Sequence, residues 1–237
     1  MTKGQVVSLF DASGLAVMPW AEAGYDVYCY DLLNDGETLK IGKGSIKFIH
    51  WNALTDYIYF KFGALGKVVF VCGFPPCTDL AVSGAAWFET KRLENPKFQK
   101  NALDLALIVK EIGERFECPW FFENPVSVIS TLWRRPDHIF HPYEYGGYLP
   151  EDDVHPIWPE YINARDAYPK KTCYWSGGGF VMPEKKPIKI EEGYSIQHRK
   201  LGGKSKKTKS IRSMSPRGIG IAVFKANNPN QPLYLRE

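Results

Sequence analysis

Two short stretches carry residue types suited to covalent chemistry on a ring. Phe74-Pro75-Pro76-Cys77 follows the apolar run 67–71, which reads as a buried strand. Two prolines fix the backbone just past that strand and hold the next side chain rigidly at the sheet edge. A cysteine held there can attack as thiolate even from a modest ionised fraction. A buried structural thiol is the alternative reading of a lone cysteine. Glu123, in Phe121-Phe122-Glu123-Asn124-Pro125, comes directly after Trp120, Phe121 and Phe122. Those neighbours predict partial desolvation, a raised pKa and a carboxyl group able to hold a proton. A thiol nucleophile beside a protonated carboxyl suits addition to an electron-poor heteroaromatic ring. The sulfur adds, and the acid neutralises charge on a ring nitrogen.

The first 125 residues must position these groups, and they alternate strand-like with helix-like segments. Residues 5–10 read as a strand, the cluster Asp11-Ala12-Ser13-Gly14 as a turn, and 15–23 as a helix closed by Gly24. Strands follow at 25–30, ending in Asp31, at 46–49, ending at His50-Trp51-Asn52, at 67–71 and at 120–122. Helices are expected over 53–62 and 101–115. Alternation of this kind predicts a parallel sheet covered on both faces, with ligands beyond the carboxyl ends of its strands. Every polar cluster just named falls at such an end. The first turn has no GxGxxG fingerprint, but it can offer backbone N–H groups to an anion. Asp31 stands where a carboxylate can accept both hydroxyls of a ribose, or it simply terminates a strand.

From 133 to 187 eight prolines interrupt a stretch rich in Gly, Trp and Tyr, which predicts an irregular lobe. A helix is expected over 216–227, with Pro216 in its first turn. Between Arg199 and Arg212 lie seven cationic residues and no acidic one, whereas the whole chain carries +4, so the remainder is net acidic. One basic segment on an acidic body points to a polyanion met at one place, or to a solvated lysine-rich loop. No run of about 18 apolar residues is present, which excludes a membrane-spanning helix. The N-terminus has no stretch of signal-peptide length, and the five cysteines form no CxxC pair, so a reducing, cytoplasmic setting is expected. His138, His141, His155 and Cys173 fit no zinc spacing, and no metal is expected.

Four blocks in order resemble the cytosine-C5 DNA methyltransferases. VVSLFDASGLAVMPWAEAGYDVYCYD is similar to the first motif and the acidic end of the second strand. GFPPCTDLAVSGA is similar to the Pro-Cys motif, FFENP to the Glu-Asn motif, and RSMSPRGIGIAVFKAN to the C-terminal block. The resemblance implies a class I methyltransferase fold, Rossmann-like, with a doubly wound and mostly parallel sheet plus a small irregular lobe. It implies a catalytic core over 1–132, a lobe with a reduced target-recognition region over 133–198, and a basic segment with a returning helix over 199–237. It implies that Cys77 attacks cytosine C6, that Glu123 protonates N3, and that S-adenosylmethionine supplies a methyl group to C5. The cofactor would meet Phe10, Asp11, Ala12, Ser13, Gly14, Leu15, Asp31, Trp51, Asn52 and Pro75. The target base must leave the stack, because C6 is unreachable inside a duplex. Thr78 and Ser83 would lie near phosphate, with Arg199, Lys200, Lys204, Lys206, Lys207 and Lys209 along the DNA backbone. Arg199, in Gln197-His198-Arg199, resembles the arginine that contacts the base; Arg212 is the alternative for that role.

Ala12 and Leu15 stand where the family has glycine, and only 12 residues separate Arg199 from Arg212, where members carry a long recognition region. Recognition must then come from the 133–187 lobe, from an accessory protein or from an oligomer, as in compact enzymes of mobile elements. Amino-group methyltransferases are disfavoured, since they place Asp, Asn or Ser before Pro-Pro and an aromatic after. Two other readings stay open: a non-catalytic DNA-binding relative, and the same chemistry on RNA or a pyrimidine nucleotide.

Overall fold

The computed structural model describes residues 3–56, 65–190, 195–202 and 205–230. Its strands are β1 (Gln5–Leu9), β2 (Asp26–Asp31), β3 (Thr38–Ile41), β4 (Gly44–His50), β5 (Val68–Gly73), β6 (Trp120–Pro125), β7 (His138–Phe140) and β8 (Thr172–Gly177). They form one sheet in the order β3-β4-β2-β1-β5-β6-β8-β7. The five consecutive strands β4, β2, β1, β5 and β6 run parallel. β3 pairs antiparallel with β4, and β8 antiparallel with β6. The sheet is therefore mixed, and the expected parallel arrangement holds for its centre. Its two antiparallel additions escape a reading built on alternation.

The helices are α1 (Met18–Glu22), α2 (Phe88–Glu94), α3 (Phe98–Arg115), α4 (Ile129–Leu132), α5 (Ile196–Lys200), α6 (Lys206–Ser213) and α7 (Arg217–Asn227). α1 starts three residues later than expected because Pro19 lacks an N–H and fits only a first turn. The helix expected over 53–62 lies mostly outside the described residues. α3 presents Ala102, Leu103, Ala106, Val109 and Ile112 to a core that also holds Val7, Leu9, Val71, Trp120 and Phe122. Gly73, at the end of β5, is required by this packing, since a side chain there would collide with Val109. Aromatic residues fill the layers on both faces of β6. Phe121 stacks on Tyr174 at 4.2 Å, and Phe122 on Trp175 at 5.3 Å. These pairs clamp the strand that carries Glu123, and they show many of the aromatics to be core rather than ligand platforms.

The chain divides into two compact units, Met1–Ile139 with Thr172–Val181, and Phe140–Lys171 with Met182–Glu237. The stretch expected as one irregular lobe is thus shared between them. In the second unit Ile162, Tyr168, Leu201 and Ile211 form an apolar cluster. Asp166 Oδ2 accepts the N–H groups of Arg217 (2.6 Å) and Gly218 (2.9 Å), satisfying two orphan donors at the start of α7. The Arg217 guanidinium donates two parallel bonds to Asp153, at 2.7 and 2.6 Å. The basic segment, for which a turn at Gly202-Gly203 is expected, includes the end of α5 and most of α6. Ser205 caps α6 by accepting from the Thr208 N–H at 3.1 Å. Among the described residues no helix is long and apolar enough to cross a membrane.

Candidate active site

Register places the candidate residues in a row. Leu9 is level with Tyr30 on one side and Gly73 on the other; Tyr30 is level with Ile49, and Gly73 with Phe122. The next residues along these parallel strands are His50, Asp31, Phe10, Phe74 and Glu123. Strands lie about 4.8 Å apart, so Asp31 and Glu123 stand roughly 14 Å apart along one crest. The sheet thus brings to a single edge the acid of β6, the proline-cysteine loop of β5, the first turn after β1 and the acid of β2.

The loop carrying Cys77 is tied at three points to the end of β6 and the residues that follow it. Asn124, 1% exposed, donates from Nδ2 to the Pro75 carbonyl at 3.2 Å. Beyond it, the Val82 N–H donates to Val126 O at 3.0 Å and the Val128 N–H to Leu80 O at 2.9 Å, around an antiparallel bridge of Ala81 with Ser127. The Cys77 carbonyl accepts from the N–H groups of Leu80 and Ala81, which folds the chain back toward that bridge. Cys77 is exposed, whereas Cys29, Cys72, Cys118 and Cys173 are buried. Burial pushes the thiol of Cys118 up to about 12 and those of Cys29 and Cys72 well above the ordinary range. Glu123 is half-buried, and its Oε1 is enclosed with no hydrogen-bond partner among the described residues; Asn124 Oδ1 and Ser127 Oγ share that state.

Asp11 departs from its expected role. Its carboxylate is buried and turned inward, where Oδ1 accepts from the Ser13 N–H (3.0 Å), the Ser13 hydroxyl (3.1 Å) and the Gly14 N–H (2.7 Å). Oδ2 accepts from the Ser8 hydroxyl at 2.8 Å and, more weakly, from the Cys29 thiol at 3.9 Å. The N–H groups of Ser13 and Gly14, expected to cradle an external anion, are thus turned onto Asp11, and the Leu15 N–H donates to the Ser13 hydroxyl. The side chain of residue 11 shapes the turn from within. Phe10 (φ 56) and Gly14 (φ 66) hold the left-handed positions of this turn, while Ala12 and Leu15 do not, which is why alanine and leucine fit there. A bulky residue with positive φ stores strain of a kind concentrated at functional sites.

The remaining row members divide between open and committed groups. The Phe10 ring lies 5.3 Å from that of Trp51, which is itself 1% exposed and packed on Tyr30. Burial raises the Asp31 carboxyl above its usual range, opposed by the Leu33 N–H that donates to Oδ1 at 2.8 Å. Asn52 organises its own turn, accepting from the Leu54 N–H at 3.0 Å. Asn34, absent from the sequence reading, bridges β2 to the first turn by donating to Cys29 O (2.9 Å) and Asp11 O (3.3 Å). Thr78 and Ser83 are exposed, and Lys91 binds the Thr78 carbonyl and the Asp79 carboxylate.

Arg199, Lys200, Lys206, Lys207, Lys209 and Arg212 belong to the second unit, and Lys204 lies outside the described residues. Three of these cations serve the unit's own structure. Lys200 donates to Glu160 O, Lys207 lies over the rings of Trp158 and Tyr161, and Arg212 donates to Leu201 O. Arg199, Lys206 and Lys209 are exposed.

No protein-family model matches the chain, and no curated protein matches it. Among solved structures, one from E. coli, described as a candidate DNA modification methyltransferase encoded within a prophage, aligns with 74% of this chain at 13% identity and a TM-score of 0.35. The chain spans less than half of that protein, 46% of its length, and a likeness this low transfers neither fold nor activity.

Proposed function

We propose that the chain is an S-adenosylmethionine-dependent DNA (cytosine-5-)-methyltransferase with a class I, Rossmann-like core. The observation that carries this reading is the tied pair of loops on one crest. An exposed cysteine in the loop after β5 and a half-buried acid in β6 sit on segments that the Asn124–Pro75 bond ties together, which supports the reading.

In this reading the Cys77 thiolate adds to C6 of a cytosine rotated out of its duplex. Glu123 donates its proton to N3, so the electron pair entering the ring leaves C5 nucleophilic rather than N3 anionic. Bound S-adenosylmethionine would supply an electrophilic methyl group at C5. The C5 proton then passes to solvent base, the thiolate departs from C6, and the N3 proton returns to Glu123. The residues present fit that cofactor: Phe10 beside Trp51 offers an aromatic edge, and Asp31 offers a carboxylate for a ribose. Ala12, Ser13, Gly14 and Leu15 offer the turn, and Asn52 and Pro75 flank the row. Asp11 acts by holding the turn in shape. Thr78 and Ser83, with exposed Arg199, Lys206 and Lys209, would meet phosphates and set a salt-dependent affinity. Arg199 or Arg212 would contact the base.

Transfer of labelled methyl groups to duplex DNA, with the modified base identified by mass spectrometry, tests the reading. The expected product is 5-methylcytosine. The Glu123→Gln variant should bind DNA like the parent but turn over at least about 100-fold more slowly, the range of a lost proton donor. Methylation of an exocyclic amino group, or undiminished turnover in Glu123→Gln, would remove the proposed mechanism. Product on RNA alone would move the same chemistry to the other substrate.

A further inference from the structure

The second unit holds a cation pair that the basic segment does not include. Lys186 and Lys225 are 39 residues apart in sequence, yet their ammonium groups lie 4.8 and 5.5 Å from the centre of one ring, that of Tyr148. The two charges are therefore at most about 10 Å apart. Neither forms an ion pair among the described residues. By contrast Lys185, next to them in sequence, is neutralised by Glu144 at 2.7 Å.

This pairing is built rather than incidental. Residues 183–188 are strapped along the 3₁₀ segment Pro142–Tyr148 by four hydrogen bonds. The hydroxyls of Tyr145 and Tyr148 donate to Pro183 O and Glu184 O, the Gly147 N–H to Lys186 O, and the Ile188 N–H to Tyr143 O. Lys225 comes from the last turn of α7, whose first turn is fixed by Asp166. Folding thus holds two like charges together around one ring. The nearest acidic side chain in sequence is Glu184, whose charge lies near Tyr148 and partly offsets the pair. Two lysines confined within about 10 Å of each other, on separate segments around one ring, can meet neighbouring phosphates of one nucleic-acid strand, whereas a single small anion needs only one of them.

We propose that Lys186 and Lys225, braced on Tyr148, form a second phosphate-contacting surface that grips the backbone of duplex DNA independently of residues 199–212. This rests on the reading of the chain as a DNA-modifying enzyme. Lysine contacts to phosphate orient the duplex and supply affinity without sequence preference.

The test is the salt dependence of binding to a mixed-sequence 30-base-pair duplex. In Lys186→Ala/Lys225→Ala the slope of log K against log salt should shrink by nearly two, about 0.9 per lost phosphate contact, and affinity at 0.1 M salt should fall at least about tenfold. Glu184→Gln should tighten binding. Lys97→Ala/Lys100→Ala at the start of α3, which removes the same net charge elsewhere, should keep the parent slope. Circular dichroism of the lysine variants confirms folding. A parent slope in Lys186→Ala/Lys225→Ala, an equal loss in the α3 control, or preference of the parent for anionic vesicles over duplex would overturn the surface. A reduced slope in a protein that transfers no methyl group would retain this surface and reject only the catalytic reading.

Discussion

Cys77 differs from the other four cysteines in the property that decides thiol chemistry, its access to solvent. The buried sulfurs of Cys29 and Cys72 lie beside Asp11 and Ser8, where burial and the nearby carboxylate disfavour a thiolate. Brief treatment of the native protein with iodoacetamide should modify Cys77, whereas Cys29, Cys72 and Cys118 should react only after denaturant opens the core. Peptide mapping checks this, and early labelling of Cys72 would contradict the described packing. At the same scale Asp11 shows how a residue type can mislead. An acid in the first turn reads as a ligand, but it receives five donors from its own surroundings, a local closure that depends on φ at Phe10 and Gly14.

At the scale of elements, the site depends on two neighbouring strand ends and on the bond that joins their loops. Asn124→Ala should leave the Pro75 carbonyl without its donor and cost about 1–3 kcal/mol of stability. It should also lower turnover more than DNA affinity, since it frees the Cys77 loop rather than any phosphate contact. Urea melts with paired binding and rate measurements check this, and a variant with parent stability and turnover would show that the tie is dispensable. Much of this framework was legible before the coordinates. The apolar runs at β1, β2, β5 and β6 and the helical period of α3 mark those elements directly, and α7 begins at Arg217, one residue past the expected start, with Pro216 as its extended N-cap. Three features were not legible. β3 is a four-residue edge strand with almost no buried side chain, so it leaves no alternation to detect. β8 hides as TCYWSG in a proline-rich stretch, and its antiparallel pairing with β6 is a long-range fact that no local pattern encodes. α6 buries only Thr208 and Ile211 among charged neighbours, so its sequence looks like a solvated loop. Asn124 was within reach, since it adjoins the candidate acid, but its role needed the register of β5 against β6.

Over the molecule as a whole, the largest single source of acid sensitivity should be His155 in the second unit, with a further part from His138 and Asp137 in the first, both also held low. Burial, and then the charge of Arg217, hold His155 down at about 4 against the opposing pull of Asp153. The neutral ring accepts the Trp158 N–H at 3.0 Å and the Ile157 N–H at 3.3 Å. The unfolded chain takes up this proton near the ordinary histidine value of about 6.5, so the contribution is complete above that value and declines as pH falls toward 4. Asp153 adds a second loss lower down. Burial alone would raise its carboxyl, but the Arg217 bonds, the Arg165 N–H and the Arg217 charge together lower it, so its contribution fades as pH drops through the carboxylate range. Asp166, raised by burial, works in the opposite direction and offsets part of that loss. Thermal melts should show Tm falling between pH 6.5 and 4, with a smaller fall in His155→Gln; a flat profile in the parent would contradict the burial of His155. The most direct measurement concerns the ring that Cys77 and Glu123 are proposed to share. Duplex DNA containing 5-fluorocytosine, incubated with S-adenosylmethionine and the full chain, should yield a denaturant-resistant protein–DNA adduct that mass spectrometry maps to Cys77 and that Cys77→Ser abolishes. No adduct on any cytosine context, or one that persists in Cys77→Ser, would contradict the account.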